Sequence, residues 1–448
     1  MQGVENTVST ELRRIGEKAR SEPRLVFTSL YHHIYDVDHL RACFEALPGD
    51  RAVGIDGITK EQYRVNLEEN LRELSSRLKN MGYRPQPKRR TSIPKPGSEK
   101  GRPLAISCFE DKLVELALKR VLEPIDEVQF EDSSDGYRPG RSQHQCLDDL
   151  GRVLQQSRVN DVVEADIRSF FNTVDHGWML KFLGHRIGDP RIIRLIARLL
   201  KGGILEDGLV QASEEGTPQG SILSPLLSNI YLHDVLDLWF SHRVRPQCQG
   251  EAYYFRFADD FVAGFQDQQE AKGFREALGE RLETFKLRLA EEKTRCLPFG
   301  RFARRNAQTR GQKPEEFTFL GLTHYCGKTK KGYFKVKRRT SRKKLGASLR
   351  AFKDWARRAR HKQTKGEMLA RAKARVQGHL NDYAITDNAR SCSRYVDHAT
   401  RILRRWLNRK SQRKAYNWDQ YNDVLRHVQW PRVQIRIDLN PFRRAGAC

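Results

Sequence analysis

The chain has 448 residues, room for about three domains, and its 38% hydrophobic content suffices for a core although 31% of the residues are charged. It contains no 18-residue apolar run, no apolar signal-peptide core in the first 24 residues and no C-x-x-C pair among its eight cysteines, arguing against a transmembrane helix, a secretory leader, a zinc ribbon and a disulfide framework. The net charge of +26 is concentrated: residues 331–448 hold 32 Lys and Arg against 8 Asp and Glu, a net of +24, whereas the first 330 residues balance to +2. Such asymmetry is the footprint of polyanion binding, with nucleic acid a stronger candidate than a membrane surface.

In chain order, residues 25–80 read as mostly helical around a glycine turn at Gly54-Ile55-Asp56-Gly57. Residues 83–107 mix prolines, glycines and basic residues with short β-prone pieces. A helical pattern returns at 109–127 through Leu113, Leu116, Leu118 and Leu122, and a loop follows at 133–142. Leu147, Leu150 and Leu154 then place the pair Asp148-Asp149 on the solvated face of an amphipathic helix. Val162 to Ile167 is a strand carrying Asp166, and Gly216-Thr217-Pro218-Gln219-Gly220 is a loop feeding a long apolar helix from Leu223 to Phe240. Residues 253–265 read as strand, tight turn, strand, with Asp259 and Asp260 at the turn. A helix over 268–290 and a strand over 317–322 complete this part. Beyond about residue 327, Leu345, Leu349, Phe352 and Trp355 mark one basic amphipathic helix, and Ile402, Leu403, Trp406 and Leu407 mark another. Together these elements predict an α+β unit with a basic helical appendage.

Two adjacent carboxylates between apolar strands are costly unless something cationic compensates. If the strand of Asp166 neighbours the hairpin of Asp259, their carboxylates converge on a site for hard divalent cations, the arrangement used in two-metal nucleotidyl transfer. Arg89, Lys95 and Arg102 lie in the β-prone stretch upstream, where they can cover phosphates.

The blocks SIPKPGSEKGRPLAI, DGYRPGRS, VEADIRSFFNTVDH, EGTPQGSILSPLLSNIYL, RFADDFVAGF and FTFLGL, in that order, resemble the fingers and palm blocks of reverse transcriptases, most nearly those encoded by bacterial group II introns. GHLNDYAITDNARSCSRY and RRWLNRKSQRKAYNWDQYN resemble that family's thumb, or maturase X, region, so the resemblance covers residues 25–440. It implies a right-hand polymerase fold of the α+β class: an N-terminal extension at 1–24, fingers at 25–156, a palm of antiparallel sheet plus helices at 157–326, and an α-helical basic thumb at 327–448. It further implies Asp166, Asp259 and Asp260 as catalytic residues, with Asp166, Ile167 and Asp259 holding two Mg²⁺ ions for which Mn²⁺ can substitute. Arg89, Lys95, Arg102, Phe171 and Gln219 would bind the deoxynucleoside triphosphate, Phe171 as the steric gate against a ribose 2′-hydroxyl. Arg138, Pro218, Gly220, Phe319, Leu320 and Gly321 would contact template or primer. Lys293 matches a palm position with no assigned role.

The implied activity is RNA-directed DNA polymerisation, extending a DNA or RNA primer on an RNA template, with binding of a cognate group II intron RNA and maturase activity. The alternatives are an intron-splicing maturase with secondary polymerase activity, and a domesticated enzyme of DNA repair or phage defence. The implied setting is a bacterial cytoplasm without membrane attachment. Trp355, Tyr383, Trp406 and Trp418 are candidates for stacking on bases, with Trp406 better explained as helix core. Two departures from the family pattern stand out. Phe257 replaces the tyrosine of Tyr-Ala-Asp-Asp, keeping the ring but losing a hydroxyl hydrogen bond. No Cys/His-rich cluster follows the thumb-like region, so the HNH endonuclease found in full-length intron proteins is expected to be missing.

Overall fold

The computed structural model describes residues 2–93, 101–206, 209–211, 214–410 and 416–441. Its strands are β1 (Lys88–Ile93), β2 (Arg102–Ile106), β3 (Asp161–Asp166), β4 (Ile204–Glu206), β5 (Leu209–Gln211), β6 (Ala252–Phe257), β7 (Asp260–Phe265), β8 (Arg295–Pro298), β9 (Glu316–Phe319), β10 (Leu322–Lys328) and β11 (Phe334–Thr340). They form three sheets, ordered β2-β1-β4-β5, β6-β7-β3-β8 and β11-β10-β9.

Alternation of side chains along the strands decides how the central sheet β6-β7-β3-β8 is covered. Val163, Ala165, Tyr254, Phe261 and Ala263 face a core shared with the helices Ser224–Leu232 and Gln268–Thr284. Val162, Phe255, Val262 and Leu297 face a second core, shared with helix Gln143–Gln156 and the C-terminal helices. The strands of the central sheet are therefore apolar on both faces, and the carboxylates gather where those strands end.

Some expectations change in detail. The helix predicted over 268–290 ends at Thr284, because Lys286 takes a left-handed φ of 58° and the Leu287 N–H turns back to the Leu282 carbonyl at 2.9 Å. The strand predicted over 317–322 is broken by Leu320 (φ 50°) and Gly321 (φ 75°), which form the turn between β9 and β10. The long helix from residue 224 passes through π-helical turns at His233–Asp237 and Phe240–Val244. Asp148 and Asp149 are half-buried rather than fully solvated, and both pair with Arg152 at 3.2 Å.

The N-terminal helix Gln2–Ser21 is docked on the body of the protein: Ile15 and Ala19 join the first core, and Arg186 donates to the Pro23 carbonyl at 2.5 Å. At the other end, helices Arg342–Lys362, Lys365–Tyr383, Ala389–Asn408 and Trp418–His427 pack around Phe352, Met368, Leu380, Leu403 and Tyr421. Ser341 caps the first of these helices, and Thr364 and Asn417 form capping boxes on the second and fourth. Trp355, Tyr383 and Trp406 are core residues, 8%, 5% and 7% exposed. Only Trp418 of the four base-stacking candidates is open, at 46% exposure, with the Arg404 guanidinium 4.1 Å from its ring. Among the described residues, no helix is long and apolar enough to cross a membrane.

Candidate active site

β6 and β7 close as a two-residue hairpin, Phe257 opposite Asp260, with Ala258 at a φ of 59°. Such a turn demands positive φ, and the adjoining Asp259 is thereby carried at the sheet's edge. β7 then pairs antiparallel with β3, and the register sets Asp166 directly opposite Asp260. The three aspartates are therefore collected by hydrogen-bond register alone. With Glu164, Lys293, Arg342 and Lys343 they line a cavity of about 880 Å³.

The electrostatics of the site reflect this crowding. Desolvation pushes the Asp260 carboxyl up to about 7, and the charges of Asp166 and Asp259 push the same way against a hydrogen bond from Leu320. The Leu320 N–H points at Asp260 Oδ2 over 3.4 Å, so the β9–β10 turn is attached to the acidic cluster. Lys293 places its ammonium against Asp166 Oδ2. Beside them, Glu164 pairs with Arg295 at 2.5 Å and accepts from Thr318 N–H at 3.2 Å.

The turn is held from beneath by an arginine. Arg256 is 0% exposed; its Nε and Nη2 contact the two carboxylate oxygens of Asp237 at 2.8 and 2.5 Å. Its Nη1 donates to Asn229 Oδ1 at 3.0 Å and to the carbonyl of Ala258, the turn residue itself, at 3.1 Å. Burial alone would raise the Asp237 carboxyl, but the charge and hydrogen bonds of Arg256 hold it below its ordinary value. Asp237 ends the π-helical turn, and Asn229 also donates to the Gly136 carbonyl at 2.6 Å. A Cβ on Gly136 would lie 2.1 Å from the Ala258 nitrogen, so only glycine allows loop 133–142 to seat on the turn. Arg256, Asp237, Asn229 and Gly136 are not among the site residues expected from the sequence. The available signal was a charged residue inside an apolar strand, which cannot stay buried without a partner.

A family model described as reverse transcriptase (RNA-dependent DNA polymerase) matches residues 93–324, a span that contains the whole acidic cluster. The chain belongs to the reverse transcriptase family. It is 38% identical over 224 residues to the group II intron-encoded protein LtrA of Lactococcus lactis subsp. cremoris, covering 50% of this chain and 37% of that relative. It is 33% identical over 323 residues to protein YkfC of Escherichia coli K12, covering 64% and 84% of the two chains. It is also 27% identical over 179 residues to nuclear intron maturase 2, mitochondrial, of Arabidopsis thaliana, covering 31% and 24%. The chain thus spans little more than a third of the length of the Lactococcus relative.

Reverse transcriptases use divalent metal ions. The oxygen-only donor set of Asp166 and Asp259 suits a hard cation, and the Lys293 ammonium already stands against Asp166 as a cation. Among the described residues no group of three or more His, Cys, Asp and Glu is arranged to enclose an ion. One or two carboxylates completed by substrate phosphates is the usual mode for Mg²⁺, so the residues fit an ion that arrives with substrate. Ile167 is 2% exposed with its side chain in the first core, leaving only its backbone for such a role.

The remaining predicted reverse transcriptase residues fall in different places. Phe171, Pro218 and Gln219 line a second cavity of about 680 Å³ together with Arg90, Ala105 and Lys286. The Gln219 carbonyl accepts from Ala105 N–H at 2.7 Å, and a Cβ on Gly220 (φ 114°) would approach the Ala105 carbonyl to 2.8 Å. This loop is braced by a buried pair: Lys88 Nζ lies 2.5 Å from Glu115, whose other oxygen accepts from Ile222 N–H at 2.9 Å. Phe319 is fully buried, and Leu320 and Gly321 form the turn against Asp260. Arg89 donates through Nε and Nη2 to the Val53 carbonyl at 3.1 and 2.8 Å, while its neighbour Arg90 reaches the cavity. Lys95 lies outside the described residues, as does the side chain of Arg102. Arg138 requires a correction as a template or primer contact. It is 7% exposed, with its guanidinium bound to Glu127 at 2.8 Å and to the Glu131 and Ser134 carbonyls at 2.7 and 2.6 Å. Those bonds tie down loop 133–142 and leave no free fork for a phosphate. Phe257 packs half-buried against the second core, consistent with a retained packing role for the ring.

Proposed function

We propose that this chain is an RNA-directed DNA polymerase that extends a DNA or RNA primer on an RNA template with deoxynucleoside triphosphates. The observation that carries the reading is the β3–β7 register, which faces Asp166 with Asp260 and sets Asp259 in the adjoining turn. Asp166 and Asp259 would hold two Mg²⁺ ions, with Mn²⁺ as a substitute. When bound, such ions polarise phosphoryl oxygens and assist both the attacking and the leaving oxygen. The chain's own residues supply the rest. Asp260 accepts from Leu320 and so fixes the primer-end turn to the sheet. The Pro218-Gln219-Gly220 loop, held on Ala105, forms a wall for the incoming nucleotide. On this reading the fingers would be 25–156, the palm 157–326 and the thumb 327–448, after an N-terminal extension at 1–24 whose helix Gln2–Ser21 joins the first core through Ile15 and Ala19.

The net +24 carried by residues 331–448 favours a second role, binding intron RNA as a maturase does. Extension of a labelled DNA primer on an RNA template tests the polymerase reading. Product is expected with Mg²⁺ or Mn²⁺ and should vanish on chelation; absence of product with both ions contradicts the proposal.

Phe171 supplies a separate test. Its ring, half-buried and edge-on to Phe170 at 5.3 Å, borders the cavity of Gln219. A hydrophobic wall rejects an added hydroxyl by about 10²-fold. Phe171→Ala should erode deoxy-over-ribonucleotide discrimination by about that factor in single-nucleotide incorporation. Unchanged discrimination would remove Phe171 from the gate.

A further inference from the structure

The sheet β11-β10-β9 carries the Leu320–Gly321 turn, and its two edges are tied to the central sheet by different means. At the β9 edge, Thr318 N–H donates to Glu164 at 3.2 Å and Leu320 N–H points at Asp260. At the β11 edge the contact is made by helix Gln143–Gln156, whose Leu147, Leu150 and Leu154 share the second core with Val162 and Val262 of the central sheet. Val336 N–H donates to Gln155 Oε1 at 3.3 Å, and Arg338 Nη2 donates to the Leu147 carbonyl at 2.8 Å. Arg338 is 1% exposed, and burial pulls its guanidinium down to about 10 although the charges of Asp387 and Asp148 act the other way. Its cross-strand neighbour His324 is fully buried, stacked on Phe317 at 4.7 Å, with neither ring nitrogen hydrogen-bonded. A cation in such surroundings adds little stability for its cost, and an apolar side chain would fill the space more cheaply. The helix is nevertheless cut to receive it: a Cβ on Gly151 would lie 1.7 Å from Arg338 Nη2. What the seated guanidinium provides is direction, because its planar fork meets the helix in one orientation. Beyond β11 that orientation reaches the turn itself, since Ser341 N–H donates to the Gly321 carbonyl at 3.0 Å.

We propose that Arg338 is a positioning residue for polymerisation: seated in the notch at Gly151, it sets the angle of sheet β11-β10-β9 on the central sheet and so holds the Leu320–Gly321 turn against Asp260. The inference rests on the polymerase reading above and assigns a remote buried group to the geometry of the acidic site. Single-nucleotide addition to a DNA primer annealed to RNA tests it on the full chain, well below the melting temperature of each variant. Arg338→Met keeps the length of the stem and removes the donors. It should lower the rate at saturating substrates by on the order of 10-fold or more. KM for the deoxynucleoside triphosphate should stay within about twofold of wild type, because the cavity of Phe171 and Gln219 draws no wall from this sheet. A purely structural role predicts no such split, only a loss that tracks the unfolded fraction. Gly151→Ala keeps every donor but closes the notch, so it should reproduce the rate loss. Combining it with Arg338→Met should cost less than about twofold more, because both act on one contact. Gly279→Ala, on helix Gln268–Thr284 where a Cβ meets nothing, should leave the rate unchanged. If Arg338→Met does not fold, Arg338→Lys, which keeps the charge without the fork, must show the same fall in rate at constant KM. A wild-type rate in folded Arg338→Met, or full additivity with Gly151→Ala, overturns the positioning role and leaves the polymerase reading intact. Absence of addition by the wild-type chain overturns the polymerase reading and this inference with it.

Discussion

Asp166→Asn and Asp259→Asn should each lower primer extension on the order of 10³-fold or more while leaving the fold intact. Both substitutions keep side-chain volume and remove the charge that would hold a divalent cation. The structural cost is small for a specific reason. Asp166 is 33% exposed and its partner Lys293 is 55% exposed, so their ion pair is in the class worth about 0–1 kcal/mol. Melting temperature should therefore stay within a few degrees of wild type. Affinity for a preannealed template–primer should also survive if, as proposed, it rests on phosphate contacts made by the basic surface. Two measurements separate the outcomes: the rate of nucleotide addition at saturating template–primer, and thermal unfolding. A variant that melts early and loses activity in proportion would mean that the aspartates are structural. A variant that stays folded and extends normally would take them out of catalysis.

Arg256→Ala is expected to have the largest effect on stability. Arg256 and Asp237 are both 0% exposed, and removing one partner of a buried pair leaves an uncompensated charge, at a cost of about 3–5 kcal/mol. The substitution also releases the Ala258 carbonyl and the Asn229 amide, so the hairpin turn loses its support. Misplacing a reacting group by about 1 Å can cost about 10²-fold in rate, and a loss of that size should persist at low temperature where the variant is still folded. Arg256→Lys keeps the charge but not the planar fork that meets Asp237, Asn229 and Ala258 together, so it should recover stability in part and activity only weakly. Chemical denaturation paired with single-nucleotide addition reads both. Full activity in folded Arg256→Ala would mean that the arginine serves the core alone.

The acidic hairpin was legible in the sequence because its signals are local: two short apolar strands and a turn that only a few residue types tolerate. The convergence of Asp166 with it was a conditional inference, since strand pairing over 93 residues leaves no local trace; the register Asp166 opposite Asp260 met that condition. Elements of mixed character were harder. Leu320 carries a left-handed φ that its side chain does not advertise, so a turn looked like a strand. Arg138 sits in a glycine-rich loop that resembles a ligand-contact segment, yet its carboxylate partner Glu127 belongs to the end of the preceding helix, eleven residues away. Asp237 reaches Arg256 from a π-helical turn, a register change that no periodicity analysis of the 223–240 helix detects. Trp355 is a base-stacking candidate by its basic neighbours, but helix packing buries the indole, and the exposed Arg375 guanidinium lies 4.8 Å over its ring.

The most direct test is the rate of first-nucleotide addition to a primer annealed to RNA, measured for wild type and Asp259→Asn side by side. Template-directed, divalent-ion-dependent addition by wild type, reduced on the order of 10³-fold in the variant, is the result this structure predicts. Equal rates for the two proteins, or no addition by wild type with either Mg²⁺ or Mn²⁺, would contradict it.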